Sequence, residues 1–285
     1  MTRKREPGLQ SPRRFDSILK TLKIVLPVFL ILPWIIGASG GCPNVYKSFA
    51  QTSTDAALLF QAQQQINSGS YTSAIATIGG MTATGQATHD ATVLLSTAYV
   101  GRCGLDMFGL VTSIANMGAG TLFNALEAAF ASATVSTKAD CNMADVLMTG
   151  LPASEMTTDD DVFLAFVELA KIGTTLVTSG ATTAAYTCAT MAAPDVRQVG
   201  SGITIAYNAL LASGSTAVGP LVISMRALCT MIAGAPIGDS TFCNTTNPAS
   251  FTAAEINVIE TLIGANEIGV NSCGGASYTG SCHCP

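Results

Sequence analysis

Along most of this chain apolar side chains recur three and four positions apart, the spacing that puts them on one face of an α-helix. In TSTDAALLFQAQQQINSG, which begins at Thr52, residues Ala57, Leu58, Ala62 and Ile66 share such a face and Gly69 ends it. The run 71–78 repeats the pattern with Ala74, Ile75 and Ile78, so the two pieces predict short helices folded back on each other across a glycine turn. Helices are predicted again over 89–101, 105–117, 122–133, 162–172, 203–211, 218–232 and 251–263. Ahead of the last, Thr252 and Glu255 form a capping box, and Phe251 with Ile256 a hydrophobic staple. Thr157-Thr158-Asp159-Asp160-Asp161 reads as the start of the helix over 162–172, since carboxylates suit the positive end of a helix. Gly118-Ala119-Gly120 and Gly200-Ser201-Gly202 read as helix breaks, and β-branched stretches such as TTLVTSG lack the turn and partner that a hairpin requires. The expected fold class is all-α: antiparallel helical hairpins, followed by an irregular helical part tied by disulfides.

Within the first hairpin the residue types carry a finer pattern. A turn glycine (Gly69), an aromatic (Tyr71) and a small residue (Ala74) follow Ala62 on the first helix, and Ala98 stands 36 residues after Ala62. This arrangement resembles the tetratricopeptide repeat over roughly residues 53–117, close to that repeat's period of about 34. The resemblance implies that Ala62, Gly69, Tyr71, Ala74 and Ala98 let helices approach closely, and that the hairpins stack into a concave surface for a peptide or partner helix.

The N-terminal pattern is different. A 13-residue apolar run, IVLPVFLILPWII from Ile24 to Ile36, is broken by Pro27 and Pro33, preceded by basic residues and followed by small ones. It is shorter than the ~20 apolar residues of a spanning helix and has the layout of an export signal, though counting on to Gly41 leaves a retained anchor as the alternative. The pair Arg13-Arg14 lacks the spacing of a folded-protein export signal. Seven of the 13 cations and two of the 18 acids precede Cys42, leaving six cations against 16 acids beyond it. A body with a formal charge of −10 has no basic stripe for a phosphate backbone, so nucleic-acid binding is not expected.

Nine cysteines is an odd number. If Cys42 is set apart, Cys103, Cys141, Cys188, Cys229, Cys243, Cys273, Cys282 and Cys284 form an even set able to close four bridges in an oxidising compartment. With the small residues Gly40 and Gly41 before Cys42, residues 1–42 resemble a bacterial lipoprotein signal. The resemblance implies cleavage between Gly41 and Cys42, a diacylglyceryl thioether on Cys42, acylation of the new amine, and, with Pro43 next, delivery to the outer membrane. Two or three acyl chains anchor stably where one would not. Cys273, Cys282, His283 and Cys284 are crowded as disulfide partners of a glycine-rich tail rather than spaced as ligands of one tetrahedral metal, so no metal or cofactor is expected.

The division that follows is a signal segment (1–41), an anchor and short linker (42–52), repeat-like hairpins (53–133), a further helical region of the same domain (134–268) and a tail (269–285). Only His89 and His283 could titrate near neutrality, and His89 falls at a predicted helix start. No nucleophile elbow, metalloprotease motif or phosphate loop occurs. The expected function is therefore non-enzymatic: a lipid-anchored envelope scaffold or adaptor for a protein or peptide. The alternative is a carrier closing an apolar cavity round a lipid or small molecule; an open concave groove would favour the first and an enclosed cavity the second.

Overall fold

The computed structural model describes residues 53–115, 122–182, 191–214, 242–264 and 270, all within one compact unit, Thr52–Pro285. These residues are all-helical, with ten α-helices and no strand among them. The helices are α1 (Asp55–Asn67), α2 (Tyr71–Gly79), the single-turn α3 (Ala83–Gln86), α4 (His89–Cys103), α5 (Met107–Ala115), α6 (Leu122–Ala129), α7 (Val135–Thr149), α8 (Thr158–Thr178), α9 (Ala193–Ser213) and α10 (Ala253–Gly264). Short 3-10 turns stand at Phe242–Asn244 and Pro248–Ser250.

Threonine gives much of this chain its punctuation. Thr54, Thr82, Thr88, Thr134, Thr157 and Thr252 each accept the backbone N–H three residues on, so six helix starts are closed by the same hydroxyl chemistry. A cap of this kind stabilises a helix by about 1 kcal/mol. At Thr252 the Glu255 carboxylate also accepts the cap's own N–H at 2.7 Å, completing the box, while Phe251 and Ile256 are buried in the same core. Asp160 closes a second box on Thr157.

Packing pairs the helices. α1 lies on α2 across a turn in which Gly69 takes φ +74°, a left-handed value that favours glycine. α4 lies on both, and Ala62, Ala74 and Ala98 are fully buried in their shared core with Ile78 and Leu94. Tyr71 lies against Gly101, where a Cβ would strike the ring. α4 in turn pairs with α7. Ser96 donates to the Ala144 carbonyl at 3.1 Å, Arg102 grips both oxygens of Asp140 at 2.8 and 2.6 Å, and Cys103 forms a disulfide with Cys141. Rising numbers on α4 meet falling numbers on α7, so the two run antiparallel. α7 packs on α8, α8 on α9 and α9 on α10, forming the main core around Phe123, Leu169, Ile172, Ile203 and Ile259.

Several expectations need correction. Gly200 and Gly202 do not break a helix; they sit inside α9, where added Cβ atoms would lie 2.6 Å from Ile259 and 2.7 Å from Ile172. Glycine is required there for close helix approach, so the helix expected over 203–211 starts ten residues earlier. The stretch TTLVTSG falls in and just after the last turns of α8, which extends to Thr178 instead of ending at 172. α7 is a helix the apolar pattern did not reveal: it buries Cys141, Ala144 and Met148 while Val135, Met143 and Val146 point to solvent. The helix expected over 218–232 and the break at Gly118-Ala119-Gly120 lie outside the described residues.

Candidate functional site

Of the cysteines, Cys103 and Cys141 are bridged with Cα atoms 5.4 Å apart, and Cys243 is half-buried on the turn at Phe242–Asn244, its carbonyl accepting from Asn208 Nδ2 at 2.9 Å. Gly41, Cys42, Cys188, Cys229, Cys273, Cys282 and Cys284 lie outside the described residues. Among the described residues no helix is long and apolar enough to cross a membrane, and no cluster of metal-ligating side chains occurs.

Two open grooves lie among the described residues. The first, of about 510 Å³, runs between α1 and α4 and is lined by Leu59, Phe60, Gln63, His89, Asp90, Val93 and Thr97 among others. The small residues Ala62 and Ala98 bring the two helices together on their buried sides, and the larger residues flank the cleft above. Phe60 is 66% exposed, an aromatic ring left in water at the groove's edge. At the other end His89 bridges two carboxylates, with Nδ1 3.3 Å from Asp90 and Nε2 3.0 Å from Asp160. Asp90, and then Asp160, hold the imidazole above its ordinary value of 6.5 against a smaller opposing effect of burial. Burial pushes Asp160 up, but hydrogen bonds from Thr157 and the His89 pair outweigh it and leave the carboxyl below its usual range.

This geometry bears on the enzymatic possibility. His89 lies in a cleft beside acids, and the Thr157 hydroxyl is near, but that hydroxyl donates to Asp160 at 2.7 Å and does not meet the imidazole. A general base needs one ring nitrogen free to take a proton from a nucleophile. Both nitrogens of His89 face carboxylates, which favours a charged imidazolium clamping α4 to the start of α8. By linkage, the stabilisation from this clamp is complete below pH 6.5 and is lost as pH rises through the higher folded value. The His89 titration followed by NMR is expected to have its midpoint above 6.5, and Asp90→Asn to lower it. A midpoint at or below 6.5 in the native protein would disprove the clamp.

The second groove, of about 600 Å³, lies between α7, the start of α8, one face of α9 and the segment 246–248. Its apolar wall includes Val146, Met148, Leu151, Met156 and Ile205, and its charged lining residues are Asp145 and Asp161. Behind Asp145 lies a buried ionic cluster. Lys171 Nζ donates to Asp145 Oδ2 at 2.9 Å and also pairs with Glu168, which has no solvent exposure. Burial pushes Glu168 well above its ordinary value; Lys171 opposes this and Asp145 adds to it. Burial alone would push Lys171 down, but Glu168 and Asp145 outweigh it and hold the ammonium above the usual lysine value. The arrangement is one buried ammonium shared by two carboxylates, Asp145 and Glu168, of which burial pushes Glu168 up.

Neither groove was anticipated residue by residue. A signal existed for the cluster: Glu168 and Lys171, three apart in VFLAFVELAKI, are charges set into an otherwise apolar helix, which points to a buried pair. The exposure of Phe60 had no such signal, because Leu58, Leu59 and Phe60 are equally apolar and only the packing of α2 and α4 decides which is covered. No protein-family model, no curated protein and no solved structure matches this chain.

Proposed function

We propose that this chain is a non-enzymatic envelope adaptor of tetratricopeptide-like construction, exported and anchored through an acylated Cys42, and that it holds a peptide segment of a partner protein in the groove between α1 and α4. The observation that carries the reading is that groove: an open cleft with Phe60 unburied beside Leu59 and Val93, and hydrogen-bonding Gln63 and Thr97 along the same walls. An exposed aromatic at the edge of a polar-rimmed apolar strip is the usual make-up of a recognition surface, since it offers large contact area at little entropic cost. The pairing of α1 with α2 and of α4 with both supports the repeat-like stacking, and both grooves are open in the way an adaptor needs rather than enclosed as a carrier would have them.

A photoreactive residue at position 63 in the native envelope tests this, with one at the exposed Thr72 of α2 as control. A discrete adduct is expected from 63 and not from 72, and Phe60→Glu should suppress it at least tenfold. Equal labelling at both positions, or labelling at 63 that Phe60→Glu leaves intact, rules out the groove. Mass spectrometry of the same material should find an acylated Cys42 as its first residue; an intact Met1 excludes the anchor.

A further inference from the structure

The geometry of the second groove points to a small organic cation, a primary ammonium on an apolar body, as its ligand. The site is separate from the α1–α4 groove and does not depend on the adaptor reading. Its volume of about 600 Å³ is in the range of small-molecule sites, roughly 300–1,000 Å³. The wall supplies apolar cover from Val146, Met148, Leu151, Met156 and Ile205, while among the described residues that line it the charged ones, Asp145 and Asp161, are both acids.

Lys171 neutralises Asp145 through one oxygen only, and Asp161 has no such pairing among the described residues. Asp145 spends Oδ2 on Lys171 and leaves Oδ1 buried without a hydrogen-bond partner. Asp161 is half-buried at the start of α8 and meets neither a cation nor a donor among the described residues; burial first, and Asp160 second, raise its carboxyl above the usual value. A carboxylate that has lost water without gaining a partner is stabilised by any cation brought within about 4 Å, more strongly in a partly dry cleft than in bulk water. The start of α8 already has Asp159, Asp160 and Asp161 at its positive end, so an anionic ligand finds repulsion there instead of a free helix terminus. A neutral amphiphile would cover the apolar wall but leave Asp161 unpaired.

Isothermal titration of the full-length protein with n-octylammonium, 1-octanol and octanoate compares one tail under three headgroups. Octylammonium is expected to bind at least tenfold tighter than either of the others, and to weaken as salt is raised. Asp161→Asn should cut its affinity about tenfold and erase its advantage over octanol, with thermal melting used to check that the variant is folded. Ala212→Trp, at an exposed position on the groove's rim, fills the cleft and should abolish binding. Phe60→Glu, in the other groove, should change nothing, which separates failure here from failure of the adaptor reading. Equal binding of octanol, preference for octanoate, or octylammonium affinity unmoved by both Asp161→Asn and Ala212→Trp would overturn the proposal.

Discussion

Replacing Cys103 and Cys141 together by serine is expected to lower the stability of the helical body by about 3–4 kcal/mol. The two sulfurs close a span of 38 residues, and a cross-link of that span removes entropy chiefly from the unfolded chain. In the folded state the seam between α4 and α7 keeps its other ties, Ser96 to Ala144 and Arg102 to Asp140, so the native geometry survives the substitution. For a domain of this size the loss corresponds to roughly 10 °C in melting temperature. Denaturant titration of the double variant beside the native protein measures it, and in strong reductant the two should converge. A difference below about 1 kcal/mol under oxidising conditions would mean that the unfolded chain gains little freedom when the bridge is absent. The bridge also ties in the excursion formed by α5 and α6, which leaves the chain between the paired helices α4 and α7 and returns to pack on α8.

How much of this was legible beforehand follows from which interactions are local. The threonine caps, the Thr252–Glu255 box and the glycine turn at Gly69 depend on residues within a few positions of one another, and the pattern of types shows them directly. The all-helical class follows from the same local signals. What the pattern hid was decided by distant partners. α7 buries a cysteine, an alanine and a methionine against α4 and α8 while Val135, Met143 and Val146 are exposed, so its apolar periodicity points toward solvent as much as toward the core. Gly200 and Gly202 look like breaks when read alone, yet they are the positions at which α9 meets Ile259 of α10 and Ile172 of α8. The grooves are harder still. His89 is visible as a helix start, but its second carboxylate, Asp160, stands 71 residues away. Asp161 reads as one of three acids capping a helix, and only the position of α9 sets it in an apolar cleft.

Substituting Lys171 by methionine, which keeps the apolar stem and removes the charge, should cost about 3–5 kcal/mol at neutral pH, because it leaves the Asp145 and Glu168 carboxyls facing each other without a cation. The sign of the pH dependence separates this cause from simple loss of packing. Glu168 holds its proton in the folded state above the ordinary glutamate value of 4.5, so the stability linked to it is complete below pH 4.5 and declines as pH rises through the folded value. Lys171 opposes that rise in the native protein; without it Glu168 holds its proton more tightly, and the decline with pH becomes larger. The deficit of Lys171→Met should therefore be largest near pH 7 and shrink toward pH 4.5, whereas a packing defect would be the same at both. Adding Glu168→Gln to Lys171→Met removes the fully buried ionisable carboxyl and should restore roughly half of the loss, leaving Asp145, whose side chain is 15% exposed, to be hydrated from the groove. If the two substitutions add their costs instead, the carboxyls do not compete for the one ammonium, and α8 is held against α7 by shape alone.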